Sequence, residues 1–321
     1  MSGHERFVVR ACGLACAALL CAGAVVLAGA GPAAAQEASQ EEGGAVSPDT
    51  LKQGKITFPS GSEYEGELRN GRMHGKGKIT YADGGVYDGD FQEDKITGRG
   101  VFVYPNGDRY EGSFVDGQRH GDGVFYFADG AKYEGGFENG QMHGQGTLTF
   151  ANGAVYAGSF IDGRREGEGE LSFASGDVYK GTFKNGVMDG KGRLEYAEGH
   201  VYEGEFKTGK RHGQGTFTMA NGDVYAGEYQ EGERNGQGTY TQADGVKYVG
   251  AYAGGKRQGE GSILYPNGDR YEGAFANDLQ HGFGILIYVD GTRVEVTYEN
   301  GKPVGTAVWT YPDGHRIEGE F

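Results

Sequence analysis

Five histidines, His74, His120, His143, His212 and His281, occupy one position of a repeating sequence, and such a column first suggests a metal site. Zinc requires its ligand atoms about 2 Å from one centre. Equivalent positions in neighbouring hairpins lie two strands apart, about 10 Å, and only His120 and His143 belong to adjacent copies. A turn-stabilising or solvated role fits better, and no metal or other cofactor is expected. The carboxylates Glu65, Glu111, Glu134, Glu203 and Glu272 form a second column. General acid–base chemistry needs a pair of such groups in contrasting environments, usually in a pocket. A carboxylate repeated along an exposed strand face is instead a solvated charge that opposes aggregation. No serine sits in a nucleophile-elbow pattern, and the Gly-x-Gly pairs follow strand alternation with no helix to cradle a phosphate. The expectation is a protein without catalytic residues.

The elements that position these side chains repeat every 23 residues. The lead position falls at Tyr64, Tyr87, Tyr110, Tyr133, Tyr156, Tyr179, Tyr202, Tyr225, Tyr248, Tyr271, Val294 and Ile317, with no residue inserted or lost. Within one unit Tyr202, Gly204 and Phe206 alternate with Glu203 and Glu205, and Gly213, Gly215, Phe217 and Met219 alternate with Gln214, Thr216 and Thr218. Alternation with period two means strands with one apolar and one polar face. Thr208-Gly209 and Asn221-Gly222 supply the turns between them; Asn-Gly and Asp-Gly suit tight hairpins because those turns need positive φ. Each unit therefore reads as a two-stranded hairpin, marginal alone but stable when stacked into a continuous antiparallel sheet. Gly75, its equivalents through Gly213 to Gly305, and strand glycines such as Gly66, Gly77, Gly204 and Gly215 are expected to be bare floor on which neighbouring rings lie. A glycine inside a strand otherwise weakens it.

The unit YEGEFKTGKRHGQGTFTMANGDVY resembles the MORN repeat, whose pattern is YxGxW/F, then NGxxHGxG, then an aromatic and a D/N-G turn. The match runs from about Gly54 to Phe321 in some eleven copies. The resemblance implies an all-β, elongated, open antiparallel single sheet of tandem hairpins, used as a spacer or platform for protein interaction. It also implies association with membranes and self-association through terminal repeats. Phenylalanine or tyrosine stands where the family often has tryptophan, as at Phe206 and Tyr229, and Glu93-Asp94 and Asn277-Asp278 lack the turn glycine. Val294 and Val296 replace the usual Tyr and Gly, which argues against regular packing at that end.

Composition agrees with a repeat array. The chain has 321 residues, 64 of them glycine, with 21 tyrosines and 17 phenylalanines. That much glycine without the aromatics would mean disorder or a fibre. A net charge of -15 speaks against nucleic acid as a partner, which demands a basic footprint. Residues 1–35 read as a signal peptide: Arg6 and Arg10, an apolar run over about 11–31, and Ala33-Ala34-Ala35 before a cleavage site at Gln36,. An uncleaved membrane anchor is the alternative, since the run is nearly long enough to span a bilayer. All three cysteines, Cys12, Cys16 and Cys21, lie in that segment, so the exported protein would be held by packing without disulfides. Residues 36–53 read as a flexible linker and 54–321 as the repeats, with atypical, capping terminal copies,.

Three surfaces remain as binding candidates. The first turns carry Arg119, Arg164, Arg165, Lys210, Arg211, Lys256 and Arg257 along one edge of the sheet, and the second turns carry Asp108, Asp177, Asp223 and Asp269 along the other. The basic edge could meet anionic lipid headgroups or an acidic protein, or be ordinary solubilising charge. Phe283, Ile285, Ile287 and Val289, continued by Val308, fall on the face that is polar elsewhere, which makes either a local cap or a self-association surface giving a homodimer. The resulting expectation is an exported periplasmic or extracellular repeat scaffold for protein–protein contacts, its partner unnamed by the sequence. Peripheral membrane binding and glycan or cell-wall binding are the alternatives, with Tyr126 an outward ring.

Overall fold

The computed structural model describes residues 50–321. The leader expected at 1–35 and the linker over 36–49 lie outside the described residues. Among the described residues there is no helix: 24 strands, from β1 (Lys52–Thr57) to β24 (Arg316–Glu320), follow one another in a single open antiparallel sheet. β1 opens at Lys52, so pairing begins inside the segment read as linker.

One unit shows the construction. The short strand β14 (Val201–Lys207) turns through Thr208-Gly209 into the long strand β15 (Lys210–Thr218), which turns into β16 (Val224–Gln230) of the next unit. Thr208 and Gly209 have φ of 50° and 80°, and both turn residues are left-handed in every first turn from Asn70-Gly71 to Asn300-Gly301. Two positive φ values match the right-handed twist of the strands they join. Where glycine is missing, Asp94 and Asp278 take the left-handed position with φ of 70° and 72°. Their carboxylates then accept the backbone N–H of Met73 and Arg257 in the preceding hairpin, at 2.8 and 2.9 Å.

Inside each hairpin the register slips. Pairing passes from Gly204↔Gly215 to Phe206↔Arg211, so two extra residues of β15 bulge out. Gly213 lies there with φ of 57°, and every equivalent from Gly75 to Gly305 is also left-handed, between 57° and 95°. This corrects the expected role of that column: Gly213 is glycine because the bulge needs positive φ, and no ring lies on it. The floor is made by the other two glycines. A Cβ on Gly215 would sit 2.6 Å from Cζ of Tyr202, and one on Gly204 would sit 2.6 Å from the Cα of Gly215. Tyr64 rests in the same way on Gly66 and Gly77.

The core is one face of this single layer. Tyr202 meets Phe206 edge to face at 5.0 Å and Tyr229 of the next unit at 5.2 Å. Alternating contacts of this kind run unbroken from Tyr64 to Tyr298. Edge-to-face geometry is the favoured one for aromatic pairs. At the C-terminal end packing stays regular, contrary to the expectation. Val294 and Val296 are buried, Ala307 is fully buried, and Tyr298 still meets Tyr271. Without a tyrosine ring to lie there, the space is filled by Val296 and Ala307, where other units have glycine.

Candidate interaction surface

The lead tyrosine does more than fill space. Its hydroxyl donates to the backbone carbonyl three residues on, Tyr202 to Glu205 at 2.9 Å, and all ten tyrosines from Tyr64 to Tyr271 do so at 2.7–3.4 Å. That carbonyl faces the bulge. On the opposite face the Glu205 carboxylate accepts from the Gln214 N–H, and Glu67, Asp90 and Glu228 do the same for Lys76, Arg99 and Gln237. In these four units the bulge therefore has a polar group satisfied from either side,. Burial pushes the hydroxyl pKa values up, to about 12 for Tyr133, Tyr156, Tyr202, Tyr225 and Tyr248.

The basic edge divides in two. Arg164, Lys210 and Lys256 are exposed at the turns. Lys210 pairs with Glu231 of the next turn at 2.8 Å, Lys95 pairs with Asp116 in the same way, and Arg164 meets the Asn185 amide. Their neighbours Arg119, Arg165, Arg211 and Arg257 are half-buried and turned onto the aromatic face. Arg211 lies 5.2 Å from the ring centres of both Phe217 and Tyr229 and donates to the Gly232 carbonyl at 2.8 Å. Arg119 lies 4.8 Å from Phe125 and donates to the Gly140 carbonyl. Strand alternation explains the split, since successive residues leave a strand on opposite faces. Ion pairs from turn to turn explain why the edge carries less free charge than its basic residues alone imply.

The acidic edge is likewise built into the backbone. Asp108, Asp177, Asp223 and Asp269 each accept an N–H from the following hairpin's turn, at 2.8–3.0 Å. Asp83, Asp129, Asp244 and Asp290 accept one two residues on within their own turn. No three histidine, aspartate or glutamate side chains converge on a point among the described residues. Glu65, Glu111, Glu134, Glu203 and Glu272 lie on the outer face, where Glu134 and Glu272 pair with Lys132 and Arg270 of their own strands.

The C-terminal patch is reached in part. Phe283, Ile285 and Ile287 share the outer face of β21 (Leu279–Ile287), and Phe283 is 57% exposed. Val308 lies on the outer face of β23 (Lys302–Thr310), but Glu295 of β22 (Arg293–Glu299) stands between it and Ile285. Val289, 77% exposed, lies in the turn after β21, where its N–H donates to Asp269. Tyr126 is on the outer face, flanked by Arg109 at 5.4 Å and Lys132 at 5.9 Å.

A family model described as the MORN repeat matches eleven consecutive segments, residues 64–86, then each 23-residue unit to 271–293, and 297–316. The chain belongs to the MORN repeat family. No curated protein matches the chain. Among solved structures, the MORN sheet is similar to the TCP domain of Drosophila melanogaster SAS-4, solved in complex with a proline-rich motif of Ana2: 14% identity, 55% of this chain, 90% of that chain and a TM-score of 0.34. It is also similar to the TCP10 domain of Danio rerio CPAP, at 13% identity, 83% and 99% coverage and a TM-score of 0.18. Scores this low carry nothing about function.

Proposed function

We propose that this MORN protein is a non-enzymatic scaffold, exported after removal of residues 1–35, that presents its sheet for protein–protein contacts in the periplasm or outside the cell. The observation that carries this reading is the division of labour between positions. The residues that recur from copy to copy are consumed by the fold: the tyrosine holds a carbonyl, two glycines lie under its ring, and a third bends the bulge. The outward positions differ between copies, as Glu134, Ala157, Lys180 and Val249 do one residue after the lead tyrosine. A surface with constant support and variable facing suits binding, where specificity comes from the arrangement of exposed groups. The test is purification of the exported form under cross-linking with identification of co-purifying chains. A reproducible protein partner is expected, and its absence from cross-linked cells would count against the scaffold.

Peripheral binding to an anionic membrane through Arg164, Lys210 and Lys256 is a second reading, supported by their exposure at one edge. Flotation with anionic vesicles at low and high salt tests it; no binding at low salt removes it. The glycan reading drew on outward rings such as Tyr126, and that ring is already flanked by Arg109 and Lys132.

A further inference from the structure

On the aromatic face, three consecutive units share a feature that elsewhere appears only in isolated copies, at Arg119 and Arg165. Position 211 and its equivalents hold methionine at Met73, Met142 and Met188, but arginine at Arg211, Arg234 and Arg257 in a row. In the same stretch the ring four residues after the lead tyrosine, phenylalanine from Phe91 to Phe206, becomes Tyr229 and then Tyr252. Arg234 lies 5.1 Å from the Tyr252 ring centre and 5.5 Å from that of Tyr225, and Arg211 lies 5.2 Å from Tyr229. Tyr229 therefore has arginines on both sides, and Tyr252 stands between Arg234 and Arg257.

The polar groups of this row are incompletely used. Arg211 and Arg234 each give one N–H to a carbonyl, of Gly232 and Gly255, and neither has a carboxylate partner among the described residues. Arg257 donates to the Asp278 carbonyl at 2.5 Å, with the Asp278 carboxylate 3.7 Å away. The Tyr229 and Tyr252 hydroxyls, unlike those of the lead tyrosines, meet no acceptor among the described residues. Burial raises both of their pKa values, so both are donors at neutral pH. Asp223, on the acidic edge, is held by the Tyr240 hydroxyl at 2.6 Å. Two half-buried guanidinium groups without a carboxylate and a third with only a long ion pair to Asp278, alternating with free phenol donors, are complementary to a row of carboxylates,.

Spacing selects the form of the partner. Successive arginines are two strands apart, about 9.6 Å along the sheet. A polyproline II chain rises 3.1 Å per residue with three residues per turn, so every third side chain recurs on one side at about 9.3 Å. A β-strand places same-face side chains about 6.8 Å apart, out of step with the row. We infer that the aromatic face between Arg211 and Arg257 binds an acidic peptide segment in polyproline II conformation, one carboxylate per guanidinium and an intervening carbonyl on each tyrosine hydroxyl.

This rests on the scaffold reading and names the partner's chemistry. The probe is a fluorescent (Glu-Pro-Pro)5 peptide titrated with the full chain, beside (Lys-Pro-Pro)5 and an alternating Glu-Pro peptide of equal length. The repeat supplies variants compatible with the fold: Arg211→Met, Arg234→Met and Arg257→Met together, and Tyr229→Phe with Tyr252→Phe. The acidic three-residue peptide is expected to bind best, to weaken at least tenfold in the arginine triple variant and several-fold in the tyrosine double variant, with melting temperatures close to the parent. Equal binding by the triple variant, preference for the alternating peptide, or no binding by the parent would overturn the inference. Loss of anionic-vesicle binding in the triple variant, without peptide binding by the parent, would reassign the row to lipid. The two readings fail separately: if cross-linked partners are retained by the triple variant, the scaffold stands and this site does not.

Discussion

At Tyr202 a single hydroxyl separates tyrosine from phenylalanine in function, although both fill the same space. Replacing Tyr202 by Phe leaves the Glu205 carbonyl at the bulge without its donor, a loss of about 1 kcal/mol, read as a lower midpoint in urea. Gly215→Ala places a methyl into the Tyr202 ring and is expected to cost about 3 kcal/mol, since the fully buried ring lies directly on Gly215,. The repetition of these residues was legible in the sequence, and so was their inward direction. Their separate duties were not. Gly213 and Gly215 both read as floor because alternation puts them on one face. Only the register slip between Gly204 and Phe206 shows that Gly213 serves the backbone and Gly215 the ring. One sign was present: the outward Glu205 carboxylate that closes the bulge recurs as Glu67, Asp90 and Glu228, in four units only.

Among elements, the hairpins and both turns followed directly from period-two alternation and the Gly-containing dipeptides. The distribution of charge along the edges did not. A basic residue at a turn was visible, but its acidic partner lies 21 residues later, as Glu231 does for Lys210, and the pairing depends on how adjacent hairpins stack. Arg119 and Arg211 were also misplaced by sequence reasoning, since one residue in a strand decides between the edge and the aromatic face. The outer face of β21 is the element whose exposure stands out, with Phe283 open and Ile285 and Ile287 beside it. Ile285→Lys with Ile287→Lys is expected to lower the mass found by light scattering from dimer to monomer. Unchanged monomer in both forms would remove self-association.

For the sheet as a whole, stability is spread along one aromatic row and is shared by ten buried tyrosine hydroxyls. Burial raises their pKa values, to about 12 at Tyr202 against 10.0 for a free phenol. The folded state therefore holds protons that the unfolded chain releases. The associated stability is complete below pH 10 and is lost as pH rises to about 12. Ultraviolet titration is expected to show the buried set ionising above pH 10, together with loss of the β-sheet circular dichroism signal,. The continuity of that sheet is the claim on which the scaffold, the edges and the peptide site depend. Pairs of spin labels on outer-face positions of one chain, its three cysteines at 12, 16 and 21 replaced by serine, measure it directly. Each added repeat contributes up to about 9.6 Å, so labels at Glu134 and Glu203, three units apart, are expected within about 29 Å, and labels at Glu134 and Glu272 clearly farther, towards about 58 Å. A longer pair no farther apart than the shorter one would contradict a continuous sheet.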